Sequence, residues 1–100
     1  MVAKTILEQL GSGKFIAMTG SKEFIDLGNG LRMNLARNKT SANRLEIILD
    51  TDTYTMKFFR QTFSKKTFEV SKKDIALHEG VYSDMLEEMF TSVTGLYTRL

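Results

Sequence analysis

The sequence predicts an α+β domain: an antiparallel β-meander of four to five strands, preceded by one or two short helices and followed by a long helix, with the helices packed on one face. Three observations predict it. Apolar residues recur at helical spacing over the first ten positions. From Lys22 the period changes to two. From Leu77 the helical spacing returns.

The elements follow in order. Val2, Ala3, Ile6, Leu7 and Leu10 share one helical face, and Gly11 stands where a helix C′ residue belongs. Ser12 then offers an N-cap for a second segment, 13–19, which Gly20 ends. That segment carries Phe15, Ile16 and Met18, and so short an apolar run reads equally as helix or strand. Phe24 to Leu27 leads into Gly28-Asn29-Gly30, after which Leu31, Met33 and Leu35 alternate with polar residues, the pattern of a tight hairpin. Residues 37–43 are polar and aperiodic, hence a loop. Leu45, Ile47 and Leu49 alternate up to a turn at Asp50-Thr51-Asp52, and Tyr54, Met56 and Phe58 alternate beyond it. A basic loop over 61–66 and a short strand around Phe68 and Val70 follow, and the last helix comes after Ser71-Lys-Lys-Asp74. There Val81, Tyr82, Met85, Leu86, Met89, Phe90 and Val93 form an apolar stripe over about half the circumference, wider than the roughly 100° a surface helix needs.

One hundred residues suit a single domain, 1–100, and a hydrophobic share of 42% is that of a globular chain. The sequence contains no Cys, which excludes disulfides, zinc–thiolate centres and thiol catalysis. No apolar run is long enough to span a membrane as a helix, so no membrane association is expected. The net charge of +2 hides an asymmetry. Residues 32–73 hold ten basic side chains against four acidic, whereas residues 74–100 hold one against five. Such a distribution marks either a nucleic-acid face or two oppositely charged halves of a solvated surface.

Motifs for chemistry are sparse. His78 is the sole histidine and, with Glu79 beside it, lacks the further ligands a metal needs, so a structural role at the start of the last helix is expected. Gly11 to Lys14 lacks the Ser or Thr and the spacing of a phosphate loop. Asp50 and Asp52 suit a turn, and Asp84, Glu87 and Glu88 a solvated helix face. The basic and aromatic residues of the middle section carry more. Arg32, Arg44, Lys57, Phe59, Arg60 and Phe63 surround the outer sheet face, and Arg37, Lys39, Lys65 and Lys66 occupy the flanking loops, a set suited to phosphates and stacked bases. Ile48 and Phe59 fall on the polar side of their strands' alternation. With Tyr97 on the last segment, they define an apolar interaction face on which a second copy would pack.

Phe15-Ile-Ala-Met-Thr-Gly20, Asp52-Thr-Tyr-Thr55, His78-Glu-Gly-Val-Tyr82 with Asp84-Met-Leu86, and Thr94-Gly-Leu-Tyr-Thr98 together resemble a family of small uncharacterised proteins of bacteriophages, prophages and mobile elements. The resemblance implies a mobile-element origin and a place in the bacterial host's cytoplasm, and it brings no catalytic assignment. The combined expectation is a non-enzymatic accessory protein without cofactor or small-molecule substrate. It acts through a protein partner or self-association, with nucleic-acid binding through 32–73 as the alternative.

Overall fold

Ala3, Ile6 and Leu10 are the buried stripe of helix α1, Val2–Leu10. Gly11, at φ 118°, closes the helix by donating its N–H to the carbonyls of Leu7 and Glu8 at 3.2 and 3.1 Å. A computed structural model describes residues 2–96 of the chain. The segment left open between helix and strand is helix α2, Ser12–Thr19, anchored by buried Phe15 and stopped at Gly20, whose N–H reaches the Ile16 carbonyl at 2.9 Å. Ser12 does not cap it. Gly11 holds the N-cap position, no side chain accepts a hydrogen bond there, and Ser12 itself lies at φ 50°. With only Gly11 between α1 and α2, the chain must reverse within one residue, which leaves no extended residue to cap from.

Five strands follow: β1 Lys22–Asp26, β2 Gly30–Asn34, β3 Arg44–Asp50, β4 Thr53–Ser64 and β5 Glu69–Val81. They form one sheet in the order β1-β2-β3-β4-β5, each pair antiparallel, which is the expected meander. The β1–β2 turn is held by the Gly28 N–H on Asp26 Oδ1 at 2.8 Å, with Gly28 at φ 85°. Gly30 is required for a different reason. A Cβ there would run into the Ile47 carbonyl and lie 2.7 Å from Ile48 Cδ1, so only a bare Cα lets β2 approach β3.

One sheet face is the core. Leu31, Met33, Leu45, Ile47, Met56 and Phe58 point into it, as the alternation predicts, and meet Ile6, Leu10 and Phe15 from the N-terminal helices. Phe90 closes the layer from helix α3, Leu86–Thr94, with its ring centroid 5.0 Å from that of Phe15 in an edge-on contact and 6.4 Å from that of Phe58.

The C-terminal region corrects the sequence reading most. The long C-terminal helix, expected after Asp74 and ended by Gly95, is not formed as such: Leu77 to Val81 belong to β5, a single 3-10 turn covers Ser83–Met85, and α3 has nine residues. Ser71 to Asp74, expected as the lead-in to that helix, lies inside β5, and β4 runs on to Ser64 through much of the expected basic loop. The cause is pairing. β4 gives the 69–81 segment an antiparallel ladder from Ser64↔Glu69 to Tyr54↔Val81, and a ladder rewards residues whose own side chains show no strand pattern. Gly80 at φ 66° and extended Tyr82 (φ −79°, ψ 155°) then break any helical continuity with α3. The wide stripe is therefore split. Val81 faces the core from a strand, Tyr82 is 59% exposed, and only Leu86, Phe90 and Thr94 of α3 are fully buried. The same pairing places His78 in β5 opposite Met56 rather than at a helix start.

Candidate nucleic-acid interface

Among the described residues the helices pack on the core face, and none covers the outer sheet face. By register, Arg32, Glu46, Lys57 and Leu77 form one cross-strand row on it, and Asn34, Arg44, Phe59 and Asp74 the next. Arg32 and Glu46 approach to 3.9 Å, and Lys57 and Asp74 to 3.6 Å. Phe59 does lie off the core face, as its place in the alternation predicts, but it is 1% exposed and cannot serve as the expected apolar contact. Arg32, Lys57 and Lys72 cover it, with their charged groups 5.7, 5.9 and 5.5 Å from the ring centroid. Long basic side chains lay their alkyl stems on apolar surface and keep their heads in water, and the ring's π-face attracts the cations. Three positive groups thereby converge on one spot. Ile48 is half-buried against the β2 backbone at Gly30, and Tyr97 lies outside the described residues.

β3 ends its pairing with β4 at Arg44↔Phe59, whereas β4 and β5 stay paired for another five residues, Arg60↔Lys73 to Ser64↔Glu69. The hairpin therefore leaves the sheet as a two-stranded arm about 17 Å long, at about 3.3 Å per residue. Its root is braced. Asn43, just before β3, donates its Nδ2 to the Gln61 carbonyl at 2.9 Å and accepts the Gln61 N–H on Oδ1 at 2.8 Å, so a side-chain amide takes the place of the next β3 peptide. Arg32 Nη2 donates to Gln61 Oε1 at 2.6 Å, and Arg60 Nη1 to the Ser41 carbonyl at 3.0 Å. Beyond the root, residues 62–71 are all exposed.

The arm is basic and apolar at once. Between Arg60 and Lys73, Arg60, Lys65, Lys66, Lys72 and Lys73 stand against Glu69 alone. Phe63, Phe68 and Val70 are 57, 79 and 56% exposed. Arg37 lies on the 37–43 loop beside the root, where it and Arg60 share the wall of a cleft of about 510 Å³; Lys39, on the same loop, turns to the end of α3, its N–H on the Thr94 carbonyl at 3.0 Å and its side chain against Gly95. Asp26, Asp50, Asp52 and Glu79 gather at the opposite end of the sheet, so the molecule is polarised along its strands.

Seven of the eight basic positions named from the sequence thus lie on the outer face, the arm or the loop at its root, and Lys39 packs on the end of α3 instead. Sequence reading missed Lys72 and Lys73, because 71–74 read only as the lead-in to the last helix, and it missed the arm itself. The signal was the spacing of Phe63, Phe68 and Val70 around Lys65-Lys66, two strand ends about a short turn. Asp50 and Asp52 do form the β3–β4 turn. Among the described residues no cluster of His, Asp and Glu could hold a metal ion, and no helix is long and apolar enough to cross a membrane. Comparisons with protein-family models, curated proteins and solved structures find no match to the chain.

Proposed function

We propose that this chain is a non-enzymatic binding protein that engages duplex nucleic acid through the β4–β5 arm and the basic sheet face behind it. The observation that carries this reading is the arm: a braced two-stranded ribbon with five basic residues against one acidic and three exposed apolar side chains. Lysine and arginine neutralise phosphates and release condensed counterions, the main sequence-independent source of affinity. The major groove of B-DNA, about 12 Å wide and 8.5 Å deep, admits a two-stranded β-ribbon, and an arm of about 17 Å exceeds that depth. The acidic end of the sheet points away from the arm, which orients the approach. The resemblance to phage and mobile-element proteins fits an accessory role in a host cytoplasm.

Anisotropy of a short labelled DNA duplex tests this across a salt series. Binding should weaken linearly on log–log axes, and changing Lys65, Lys66 and Lys73 to Gln should lower the slope by roughly 2 to 3, at about 0.9 per phosphate contact. An unchanged slope, or no binding at low salt, refutes the reading.

A protein-partner or self-association reading has its own observation. Ile25 and Leu77, both exposed, sit at the two ends of the Arg32–Glu46–Lys57 row. It requires a mass by sedimentation that rises with concentration; a monomer at all concentrations removes the self-associating form.

A further inference from the structure

The tip of the arm carries an inference that rests on the nucleic-acid reading and deepens it. Ser64 to Phe68 close the hairpin, with the Phe68 N–H on the Ser64 carbonyl at 2.8 Å and the Thr67 N–H on Ser64 Oγ at 3.4 Å. Phe68 ends this turn at φ 57°, in the left-handed region. Longer hairpin loops place a residue in that region, and glycine is its usual occupant because a Cβ is strained there. Here the position holds a phenylalanine that is 79% exposed. The side chain is thus neither favoured by the backbone nor used by the core. Ser12, Glu23 and Thr51 share that backbone region and the turn itself calls for it, so what sets Phe68 apart is a large apolar ring left in solvent at the tip.

Its surroundings say what it meets. The Phe63 ring lies edge-on behind it, with centroids 6.4 Å apart and planes at 61°, and backs the Phe68 ring from the ribbon side. Lys65 and Lys66 precede it in the same turn, and Glu69 follows it at the start of β5. An apolar ring at the end of a projecting ribbon, beside two cations, suits a surface that is anionic outside and flat and apolar within. Stacked base pairs between two phosphate backbones are such a surface. A single strand would want a groove with successive aromatic platforms, and A-form RNA closes its major groove to a ribbon.

We propose that Phe68 is a wedge: the tip of the arm enters a groove of duplex DNA, Lys65 and Lys66 hold phosphates beside it, and the ring enters between adjacent base pairs and bends the duplex. Insertion of an apolar side chain unstacks a base step and kinks DNA by about 20–90°. Flexible pyrimidine–purine steps yield most readily, so a TA step is the preferred site.

The test uses the full chain and a duplex with a central TA step, labelled at both ends for energy transfer, alongside anisotropy over a salt series. The variant is Phe68→Gly, which suits the left-handed backbone and keeps the arm folded, as circular dichroism will check. The parent should bring the duplex ends closer. Phe68→Gly should leave them at the free-duplex distance and bind at least about fivefold more weakly, the loss of one stacking contact, with an unchanged salt slope. Phe68→Leu, which keeps an apolar wedge, should still bend. Bending by Phe68→Gly equal to the parent's, or parent binding with a normal salt slope and no bending, overturns the wedge and leaves the phosphate-binding reading intact. A parent that binds no duplex at low salt overturns both, as does binding to phosphatidylserine vesicles in place of DNA.

Discussion

Replacing Phe90 with alanine separates the short C-terminal helix from the long one that the spacing predicts. Phe90 is fully buried, with its ring 5.0 Å from that of Phe15 and 6.4 Å from that of Phe58, so it ties α3 to α2 and to β4. Truncating a buried Phe costs about 3–5 kcal/mol, through lost transfer energy and the cavity left behind. Two aromatic contacts, at about 0.5–1.5 kcal/mol each beyond area burial, push Phe90 to the upper end of that range. Against a total stability of about 5–15 kcal/mol this is a large fraction. At about 4–8 °C per kcal/mol for a domain of this size, the melting temperature should fall by at least about 12 °C. Tyr82→Ala is the control. It stands on the same predicted helical stripe, but its side chain is 59% exposed on extended backbone, so its loss should stay within about 0.5 kcal/mol. Urea denaturation followed by circular dichroism, with unchanged m-values, measures both. A Tyr82→Ala loss comparable to that of Phe90→Ala would restore the continuous helix and refute the strand–turn–helix path. A Phe90→Ala loss under about 0.5 kcal/mol would remove Phe90 from the core.

Two smaller predictions test local geometry. Gly30→Ala should destabilise by about 1–3 kcal/mol or more, because the new Cβ meets β3 backbone that cannot move aside. Gly13→Ala, with open space around its Cα in α2, should instead stabilise by about 0.5–1 kcal/mol; equal effects at the two glycines would refute the close approach of β2 and β3. Ser12→Ala should change the unfolding free energy from urea denaturation by no more than about 0.5 kcal/mol, since no side chain caps α2, whereas a loss of about 1 kcal/mol would mean that Ser12 is the N-cap after all.

The candidate interface was half legible. Arg32, Arg44 and Lys57 alternate with core residues in strands whose pattern is clear, so their outward direction could be read at once. Lys65 and Lys66 were visible as a basic turn, but not as the tip of anything. Lys72 and Lys73 were hidden inside a polar stretch whose strand structure comes from its neighbour rather than from itself. Phe59 shows the same limit from the other side. Alternation correctly placed it off the core face, and only the convergence of Arg32, Lys57 and Lys72 from three different strands showed that it is covered.

Whatever one element decides alone could be read from its own residues. The burial of Ala3, Ile6 and Leu10 on α1, the inward row from Leu31 to Phe58, the hairpin at Gly28 and the stops at Gly11 and Gly20 come from periods of 3.6 and 2 and from glycine's tolerance of positive φ. The remaining features depend on a partner element. β5 is a strand because β4 supplies the ladder, and residues 60–73 form an arm because β3 ends at Arg44 while β4 and β5 do not. The C-terminal helix is short because its first apolar residues were already paired. A strand's side-chain alternation is written in its own residues, but its backbone hydrogen bonds are made with another segment, and a solvated strand has little alternation to show.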